Sequence, residues 1–335
     1  MNRLKLLEVL EILKNGLEKN KEIPIYEYVC FTGKIAFSSN LLFTICAPFK
    51  TPKPFAVNGF TLISLLQASQ VEEVTFKIEG TDLVMQAGNS EFELPIKEED
   101  EFIWKEPILA NPVELDTVVS GSIRHALNTC SENQALEGYA RICIKTSNGL
   151  VHLYSTDGDA LTRYNTGLKT ETPIEFCLGR DFCEMIHKIV PVSNIKVTDE
   201  WVCAESSQYK VYGQNLGAPT IDYETEIDTL LGSDSTPTVP VSIALDNALN
   251  RAIVVASVET SPTKVLIEKG EMTLVTETPF GNVYDTLKTE HSDVSVKINA
   301  ELLQKQIEDT VFIKFIKSCI VVTNDKMLRL IANMG

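Results

Sequence analysis

Three stretches of the chain share one order of hydrophobic and polar positions. Each begins with apolar residues at helical spacing and continues, after a short break, as alternating residues on both sides of a polar turn, a pattern typical of a strand hairpin. Phe60, Phe182 and Leu302 hold the same place near the three helix starts, at separations of 122 and 120 residues. The stretches 59–96, 179–216 and 299–335 therefore predict one unit that occurs three times.

A second type of helix precedes each of these stretches. Apolar spacing predicts these helices over 4–17, 115–129 and 243–256, each followed by further strand-like runs. Two joins, 97–114 and 217–242, are rich in proline and acidic residues, and we expect them to be extended linkers without a packed core. The pattern predicts an α+β fold of three domains, 1–107, 108–224 and 225–335, each with two helices packed on antiparallel sheets.

Net charge, cysteine usage and the lengths of apolar runs limit which partners and which cellular compartment the chain can have. The 335 residues carry a net charge of −16, so any contact with nucleic acid must be confined to a local surface. Eight cysteines occur without a CxxC pair, and we expect them to be buried thiols in a reducing cytoplasm rather than disulfides or zinc ligands. The charged N-terminal helix does not fit a signal peptide, and no apolar run reaches the about 18 residues of a membrane span.

The segment "STDGDAL", residues 155–161, raises a question of chemistry. Asp157 and Asp159 could form a catalytic carboxylate pair, a metal-binding loop, or only a hairpin turn. Catalysis would need a second acid, a histidine or a metal nearby, and a calcium loop would need a downstream bidentate glutamate; the sequence offers neither. Asp-Gly is a strong hairpin signal, so the turn is the favoured interpretation.

Sequence motifs of the common enzyme classes are missing from the chain. There is no GxGxxG, GxxxxGK[ST], GxSxG or HExxH, and the four histidines are far apart in sequence. We therefore predict a protein that is not an enzyme and that uses no cofactor and no metal.

Four short sequence motifs occur in addition to the threefold repeat. They are "STDGDAL", "IDY" at 221–223, "EIPIY" at 22–26 and "RAIVVAS" at 251–257. Together they resemble the beta sliding clamp family of bacterial DNA polymerase III, over the whole chain, as a divergent member of phage or mobile-element type. The resemblance implies a head-to-tail homodimer in which each chain forms half of a closed ring. Duplex DNA would thread the ring without sequence specificity, and the implied partners are DNA polymerase, a clamp loader and other DNA-processing proteins.

The resemblance also implies three sets of functional residues. A hydrophobic cleft for partner peptides would comprise Thr156, Gly158, Leu161, Ile221, Asp222, Tyr223, Ser318, Ile331, Ala332 and Met334. The surface that faces DNA would comprise Lys19, Asn20, Lys21, Arg124, Lys188, Arg251 and Lys305. The dimer interface would join Phe92 and Leu94, on an edge strand of the first domain, to Val254 and Val255 on a helix of the third.

The cleft departs from the family pattern in three places. The family usually has His-Arg after TDG, a proline before Asp-Tyr and a Met-Pro-Met-Arg-Leu type of tail. This chain has Asp159-Ala160, Ile221 and "LIANMG". Because charge at the rim of an interface sets specificity and association rate, we expect the acidic turn to change which peptides bind.

Three other interpretations remain open from the sequence. The chain could be a β-rich structural or assembly protein of a virion that keeps the domain repeat. It could be a clamp-like monomer that needs another subunit to close, or an enzyme whose constellation the motifs do not reveal.

Overall fold

The computed structural model describes residues 1–19, 22–40, 42–98, 101–102, 104–188, 192–232, 238–256, 261–307 and 310–334. Its helices in this part of the chain are α1 (Arg3–Leu13), α2 (Gly59–Ala68), α3 (Thr117–Leu127), α4 (Arg180–Lys188), α5 (Tyr223–Leu231), α6 (Ile243–Ala256) and α7 (Ala300–Ile307). Helix α6 has the predicted bounds, whereas α1 and α3 are shorter. None of these helices is long and apolar enough to cross a membrane.

Helix α1 ends early because a strand approaches its last turn. The chain tightens into a 3₁₀ turn over Lys14–Gly16, and a Cβ on Gly16 would lie only 2.5 Å from the Ser38 hydroxyl oxygen. The Ser38 hydroxyl donates to the Leu13 carbonyl, one of the carbonyls left open at a helix C-terminus. Glycine is thus required here for space.

Within the described residues, all strand pairs are antiparallel and form three sheets. The first sheet runs in the order β5 (Thr75–Glu79), β6 (Asp82–Ala87), β7 (Ser90–Lys97), β4 (Phe55–Asn58), β1 (Tyr28–Phe31), β2 (Ile35–Ser39), β3 (Phe43–Pro48), β15 (Lys210–Gln214), β14 (Trp201–Glu205), β13 (Asn194–Val197) and β8 (Val113–Leu115). The second runs β12 (Glu175–Gly179), β9 (Arg141–Ser147), β10 (Leu150–Thr156), β11 (Ala160–Lys169), β23 (Met327–Ala332), β22 (Cys319–Thr323), β21 (Phe312–Phe315) and β16 (Val239–Pro240). The third runs β19 (Gly281–Lys288), β18 (Glu271–Thr278), β17 (Thr263–Glu268) and β20 (Val294–Ile298).

These elements confirm the α+β class and the repeated order of helix, strands, helix and strands. We call β1–β7 the first repeat, β8–β15 the second and β16–β23 the third. The chain forms two compact units, one of residues 1–121 and 181–217 and the other of residues 122–180 and 218–335. The three domain boundaries stay a prediction.

Equivalent strands join the repeats within each unit. In the first unit β3 pairs with β15, and in the second unit β11 pairs with β23. By their order in the repeats, β3 and β11 correspond to β19 of the third repeat, and β15 and β23 correspond to β7 of the first. Strand β19 ends its sheet, and β7 pairs with β6 along residues 90–95 but with β4 only at Ile96 and Lys97. Among the described residues, 90–95 therefore have a strand on one side only, although β7 is not the last strand of its sheet.

The prediction that both joins are extended and unpacked is wrong. In 97–114, the ring of Trp104 packs between Phe37 and Tyr212, with ring centroids 5.0 and 5.4 Å away. In 217–242, residues Tyr223–Leu231 form α5, with Tyr223 and Ile227 buried. The acidic residues that suggested a linker cap this helix and occupy its first turn, where they favour helix formation.

The cysteines are buried as expected, but one pair is bonded. Cys143 and Cys177 face each other on β9 and β12 and form a disulfide, against the expectation of free thiols. Because the two strands are distant in sequence, the pattern of the chain gave no sign that they would be neighbours. The other six cysteines are buried and form no disulfide, and burial raises the pKa of the Cys203 thiol to about 12.

Candidate functional site

The 156–161 turn is held by its own polar groups. The Asp157 carboxylate accepts hydrogen bonds from the backbone N–H groups of Asp159 and Ala160, at 3.0 and 2.7 Å. The Thr156 hydroxyl donates to the Ala160 carbonyl at 2.7 Å and accepts from the Gly158 N–H at 3.1 Å. Gly158 has φ +98°, a conformation that favours glycine. The turn interpretation accounts for the Asp157 carboxylate, whereas Asp159 takes part through its backbone.

The C-terminal strand lies beside this turn. Strand β23 pairs with β11, and the Ala332 N–H donates to the Asp159 carbonyl at 2.7 Å. Leu161 lies opposite Leu330, whereas Ile331 lies opposite Ala160 and belongs with it to a buried cluster of the third repeat. Because side chains alternate along a strand, Leu330 shares the face of Leu161 and Ile331 points the other way.

A loop bridges the turn and the 221–223 segment. A Cβ on Gly158 would lie 3.9 Å from the Tyr139 ring, and a Cβ on Gly138 would lie 3.2 Å from the Thr220 hydroxyl and 3.9 Å from Ile221 Cδ1. Residues 138–139 thus lie between the turn and Ile221. The structure brings these two predicted parts of the cleft together.

Helix α5 is fixed to the hairpin of β10 and β11 by a polar network. Asp222 caps the helix, and its carboxylate accepts from the N–H and the hydroxyl of Thr225 at 3.3 and 2.8 Å. The Tyr223 ring stacks on Tyr154 at 5.4 Å. Glu224 accepts from the Tyr154 hydroxyl and forms an ion pair with Arg163 at 3.2 Å.

Ionisation in this network follows from burial and partners. Burial, followed by the hydrogen bond to Glu224, raises the pKa of the Tyr154 phenol above its ordinary value. The Thr225 hydroxyl and N–H hold the pKa of the exposed Asp222 carboxyl below its usual range. Tyr154 is therefore a neutral donor and Asp222 a charged rim residue near neutral pH.

The far end of α5 contacts the third repeat through Ser318. The Ser318 hydroxyl donates to the Leu230 carbonyl at 2.6 Å. The Asn333 side-chain amide donates to the carbonyls of Ile316 and Lys317 at 3.0 and 2.9 Å, so the tail lies against the same turn. Met334 is half-buried. The turn, α5, Ser318 and the tail thus form one connected region within the second compact unit.

Some members of this region gave no signal in the sequence. Tyr139, Tyr154, Arg163, Glu224 and Leu330 lie outside the segments that carried the resemblance. Their contacts arise from the packing of α5 on the hairpin, and α5 itself was hidden in an apparent linker.

The basic residues differ in their surroundings. Lys19, Arg124, Lys188 and Lys305 are exposed, and the Lys19 ammonium lies 5.5 Å from the centre of the Phe60 ring. Arg251 is engaged by Asp285 of β19 in a bidentate pair with contacts of 2.7–3.2 Å. Asn20 and Lys21 lie outside the described residues.

The residues predicted for the dimer interface are only partly covered. Phe92 and Leu94 on β7 lie opposite Met85 and Leu83 of β6; Phe92 is half-buried and Leu94 is buried. Val255 is half-buried, while Val254 on α6 has 72% of its surface exposed.

Within the described residues, no group of three or more His, Cys, Asp or Glu side chains could hold a metal ion. The largest pKa shifts among the described residues belong to buried tyrosines and cysteines, and burial is their leading cause.

No family model matches the sequence, and no curated protein matches it significantly. Solved structures do match over the full chain. They include the DNA polymerase III beta subunit of Thermotoga maritima (19% identity, TM-score 0.86) and the DNA polymerase sliding clamp of Bacillus subtilis (12%, 0.88), each with 100% of this chain and 98% of that chain covered. The Helicobacter pylori beta clamp bound to a DNA ligase peptide is similar as well (14%, 0.81, with 100% and 99% covered). The chain therefore has the fold of these beta subunits, as its resemblance in sequence implied.

Proposed function

From this fold, we propose that the chain is a DNA sliding clamp, a processivity factor without catalytic activity. Two copies would close a ring around duplex DNA in the cytoplasm and tether polymerase and other DNA-processing proteins through short peptides, after opening by a clamp loader. The observation that carries this proposal is a pair of open strands, β7 along 90–95 and β19, each equivalent to strands that already join repeats.

Register in the repeats predicts which residues would meet. Strand β15 places Val211 opposite Ile45 of β3, and β23 places Arg329 opposite Thr162 of β11. The pairing within the hairpins shows that Val211 and Arg329 occupy the position that Phe92 occupies in the first repeat. In the same way, Ile45 and Thr162 occupy the position that Val283 occupies in the third repeat. We therefore expect Val283 of one copy to lie opposite Phe92 of the other.

Burial supports this pairing. Ile45, Val211, Thr162 and Arg329 are all buried in the two existing junctions. Phe92 and Val283 are only half-buried, and Tyr284 beside Val283 is 62% exposed. An open strand edge with apolar neighbours invites another strand, and a closed ring of two copies would leave neither edge open.

A crosslinking experiment tests both the pairing and the encirclement. In a Phe92→Cys, Val283→Cys double variant, a short thiol crosslinker should join two copies at both contacts. Closed covalent dimers loaded on a circular plasmid should remain on it in denaturant and leave it when the plasmid is cut. An Ile108→Cys, Val283→Cys variant is the matched control, because Ile108 is 92% exposed but has no place in the predicted pairing.

Three results would contradict the proposal. The double variant could remain monomeric by light scattering, crosslink no more than the control, or leave circular and linear DNA equally. The first result would favour a clamp-like monomer. No feature of the described residues favours a virion component.

The DNA surface would act through charge alone. Each phosphate neutralised by Lys or Arg strengthens attachment through counterion release, so a sliding protein needs few such contacts. Lys19, Arg124, Lys188 and Lys305 are candidates, together with Asn20 and Lys21. Arg251 is a weaker candidate because Asp285 already neutralises it, and the pair links α6 to the open strand β19.

The connected region of the turn, α5, Ser318 and the tail would receive partner peptides. The DNA ligase peptide of the Helicobacter pylori complex is a suitable probe, measured by fluorescence anisotropy. Met334→Ala should weaken its binding because Met334 is half-buried in the tail, and Leu161→Ala should do so from the turn. Equal affinity of both variants and the unchanged chain would contradict a site at this place.

A further inference from the structure

The outer edge of one strand is covered in two repeats and open in the other. In the second repeat β8 pairs antiparallel with β13, and in the third repeat β16 pairs antiparallel with β21. The equivalent strand of the first repeat, β5, pairs with β6 on one side. Its other side carries no strand in the part of the chain that the structure describes.

Sequence and register show that these three strands are equivalent. Each has a lysine between two apolar residues, and each hairpin has the same register. The strands read Phe76-Lys77-Ile78, Ile195-Lys196-Val197 and Ile313-Lys314-Phe315, with Ile78, Val197 and Phe315 opposite Leu83, Val202 and Ile320.

Side chains on β5 are less buried than the equivalent side chains on β13 and β21. Ile195, Val197, Ile313 and Phe315 are buried in the repeats whose edge carries a covering strand. Phe76 and Ile78 at the equivalent positions are only half-buried, and 75% of the Lys77 side chain is exposed.

The N-terminal residues pair with the segment just before β5 but not with β5 itself. The Val74 N–H donates to the Met1 carbonyl at 2.9 Å and the Arg3 N–H to the Glu72 carbonyl at 2.9 Å. In the third repeat the Val241 N–H donates to the Val311 carbonyl at 2.9 Å, as the Met1 amino group donates to the Val74 carbonyl at 2.6 Å, and β16 then places Val239 opposite Ile313. Since backbone groups alternate along a strand, those of Phe76 and Ile78 point to the open side, as those of Val74 do.

An apolar cavity lies beside the open edge. It has a volume of about 570 Å³, and its walls include Phe31, Phe49 and Phe55 with Phe76 and Ile78. The Phe31 ring is 4.7 Å from Phe55 and 5.3 Å from Phe49. In the third repeat a cavity of about 460 Å³ adjoins the equivalent Ile313, and there β16 itself forms part of the wall.

The second repeat shows which side chains suit this edge. Strand β8 places Leu115 opposite Ile195 and Glu114 opposite Lys196. Leu115 is buried, and Glu114 raises the pKa of Lys196, after the larger effect of Glu205. At β5 the equivalent lysine is Lys77, and Lys50 and Lys53 also line the cavity. An acidic residue between apolar ones would match both the charge and the cavity.

We propose that β5 binds an extended peptide segment of a partner protein, with an acidic residue between two apolar ones, as an added strand. The main chain of the peptide would bond Phe76 and Ile78, and one apolar side chain would enter the cavity, the usual combination in strand addition. Lys77 now pairs with Glu79, but both are exposed, and such a pair exchanges readily for another carboxylate. This site needs neither DNA nor a second copy of the chain.

A labelled peptide with the β8 sequence, Asn-Pro-Val-Glu-Leu-Asp, tests the proposal against the full chain by fluorescence anisotropy. We expect saturable binding below about 1 mM. A peptide with lysine in place of glutamate should bind at least about threefold more weakly, and Lys77→Glu should reverse this preference. Lys326→Glu is the control variant, because Lys326 is exposed in the other compact unit.

A second measurement separates strand addition from simple apolar binding. Peptides N-methylated at the positions opposite Phe76 and Ile78 should lose binding, because they cannot donate to the strand. Binding insensitive to N-methylation, equal affinity for both charge forms, or no binding at about 1 mM would overturn the proposal. Self-association of the chain that Lys77→Glu abolishes would also overturn it, since a second copy would then occupy the edge.

Discussion

Two strand pairs form the junctions between repeats: β3 with β15 and β11 with β23. They use the same backbone pairing, but one buries apolar side chains and the other polar ones. In the first unit the central pair is Ile45 with Val211, both apolar and buried. In the second unit the same positions hold Thr162 and Arg329, both fully buried. The ladder of hydrogen bonds therefore sets the junction, and the side chains beneath it are free to differ.

The buried arginine of the second junction is bonded to two helix ends. The Arg329 guanidinium donates to the carbonyl of His125, in the last turn of α3, at 3.1 Å and to that of Gln306, in the last turn of α7, at 2.9 Å. A cation is favourable at a helix C-terminus, where carbonyls lack partners. One buried arginine thus links two helices to the strand pair.

One feature is common to both junctions. A serine on the adjacent strand donates to a carbonyl in the last turn of the preceding helix: Ser38 to Leu13 in the first unit and Ser155 to Ala126, at 2.7 Å, in the second. The open strands β7 and β19 offer Phe92 and Val283, which resemble the apolar junction. In the proposed ring, two copies would bury such residues without desolvating a charge.

The largest effect is expected from Arg329→Ala. This change leaves two buried carbonyls without their donor and opens a cavity, so we expect a loss of about 4 kcal/mol or more in the stability of the second unit. Hydrogen exchange of β11 and β23 would measure it. Arg329→Lys keeps the charge but not the fork that reaches both carbonyls, and should recover only part of the loss. Full stability of Arg329→Ala would mean that the polar contacts are not what holds this junction.

The apolar junction should respond to volume alone. Ile45→Ala removes buried methyl groups, and we expect a loss of about 2–4 kcal/mol, seen as faster exchange of β3 and β15. Ile45→Val should cost only about 0.5–1.5 kcal/mol. A loss as large for Ile45→Val as for Ile45→Ala would contradict simple apolar packing.

The sequence predicted the repeat, the fold class and the turn, because each depends on local periodicity or on glycine and aspartate chemistry. The 243–256 helix was predicted in full for the same reason. It could not predict α5, whose cap and acidic first turn look like a linker until Tyr223 and Ile227 find a sheet to cover. Nor could it choose Leu330 over Ile331 as the neighbour of Leu161, because strand register decides which face each side chain takes.

A smaller effect is expected from Thr162→Val. The Thr129 hydroxyl donates to Thr162 at 2.7 Å and lies 2.7 Å from the Ser155 hydroxyl, all in the buried part of the second junction. Valine keeps the shape but removes one acceptor, so we expect a loss of about 1 kcal/mol, measured by exchange of β11. The reverse change in the first unit, Ile45→Thr, should cost more, because it removes buried apolar volume and places a hydroxyl opposite the apolar Val211. Equal losses would remove the distinction between the two junctions.

The smallest expected effect is a pH dependence of stability that is confined to the polar junction of the second unit. Burial, followed by the charge of Arg163, lowers the pKa of His152 on β10, whereas the strands of the first junction contain no histidine. A lowered pKa means that the unfolded chain binds the proton more tightly. The stabilising contribution is therefore present above the ordinary value of 6.5 and is lost as the pH falls through it toward the folded value. Exchange of β10 and β11 measured from pH 7.5 to pH 5 should show a small loss of protection that His152→Gln removes, while β3 and β15 stay unchanged in the same samples. An equal loss in both junctions would assign the effect to the net charge of the chain, because protonation of surface carboxylates acts on both units alike.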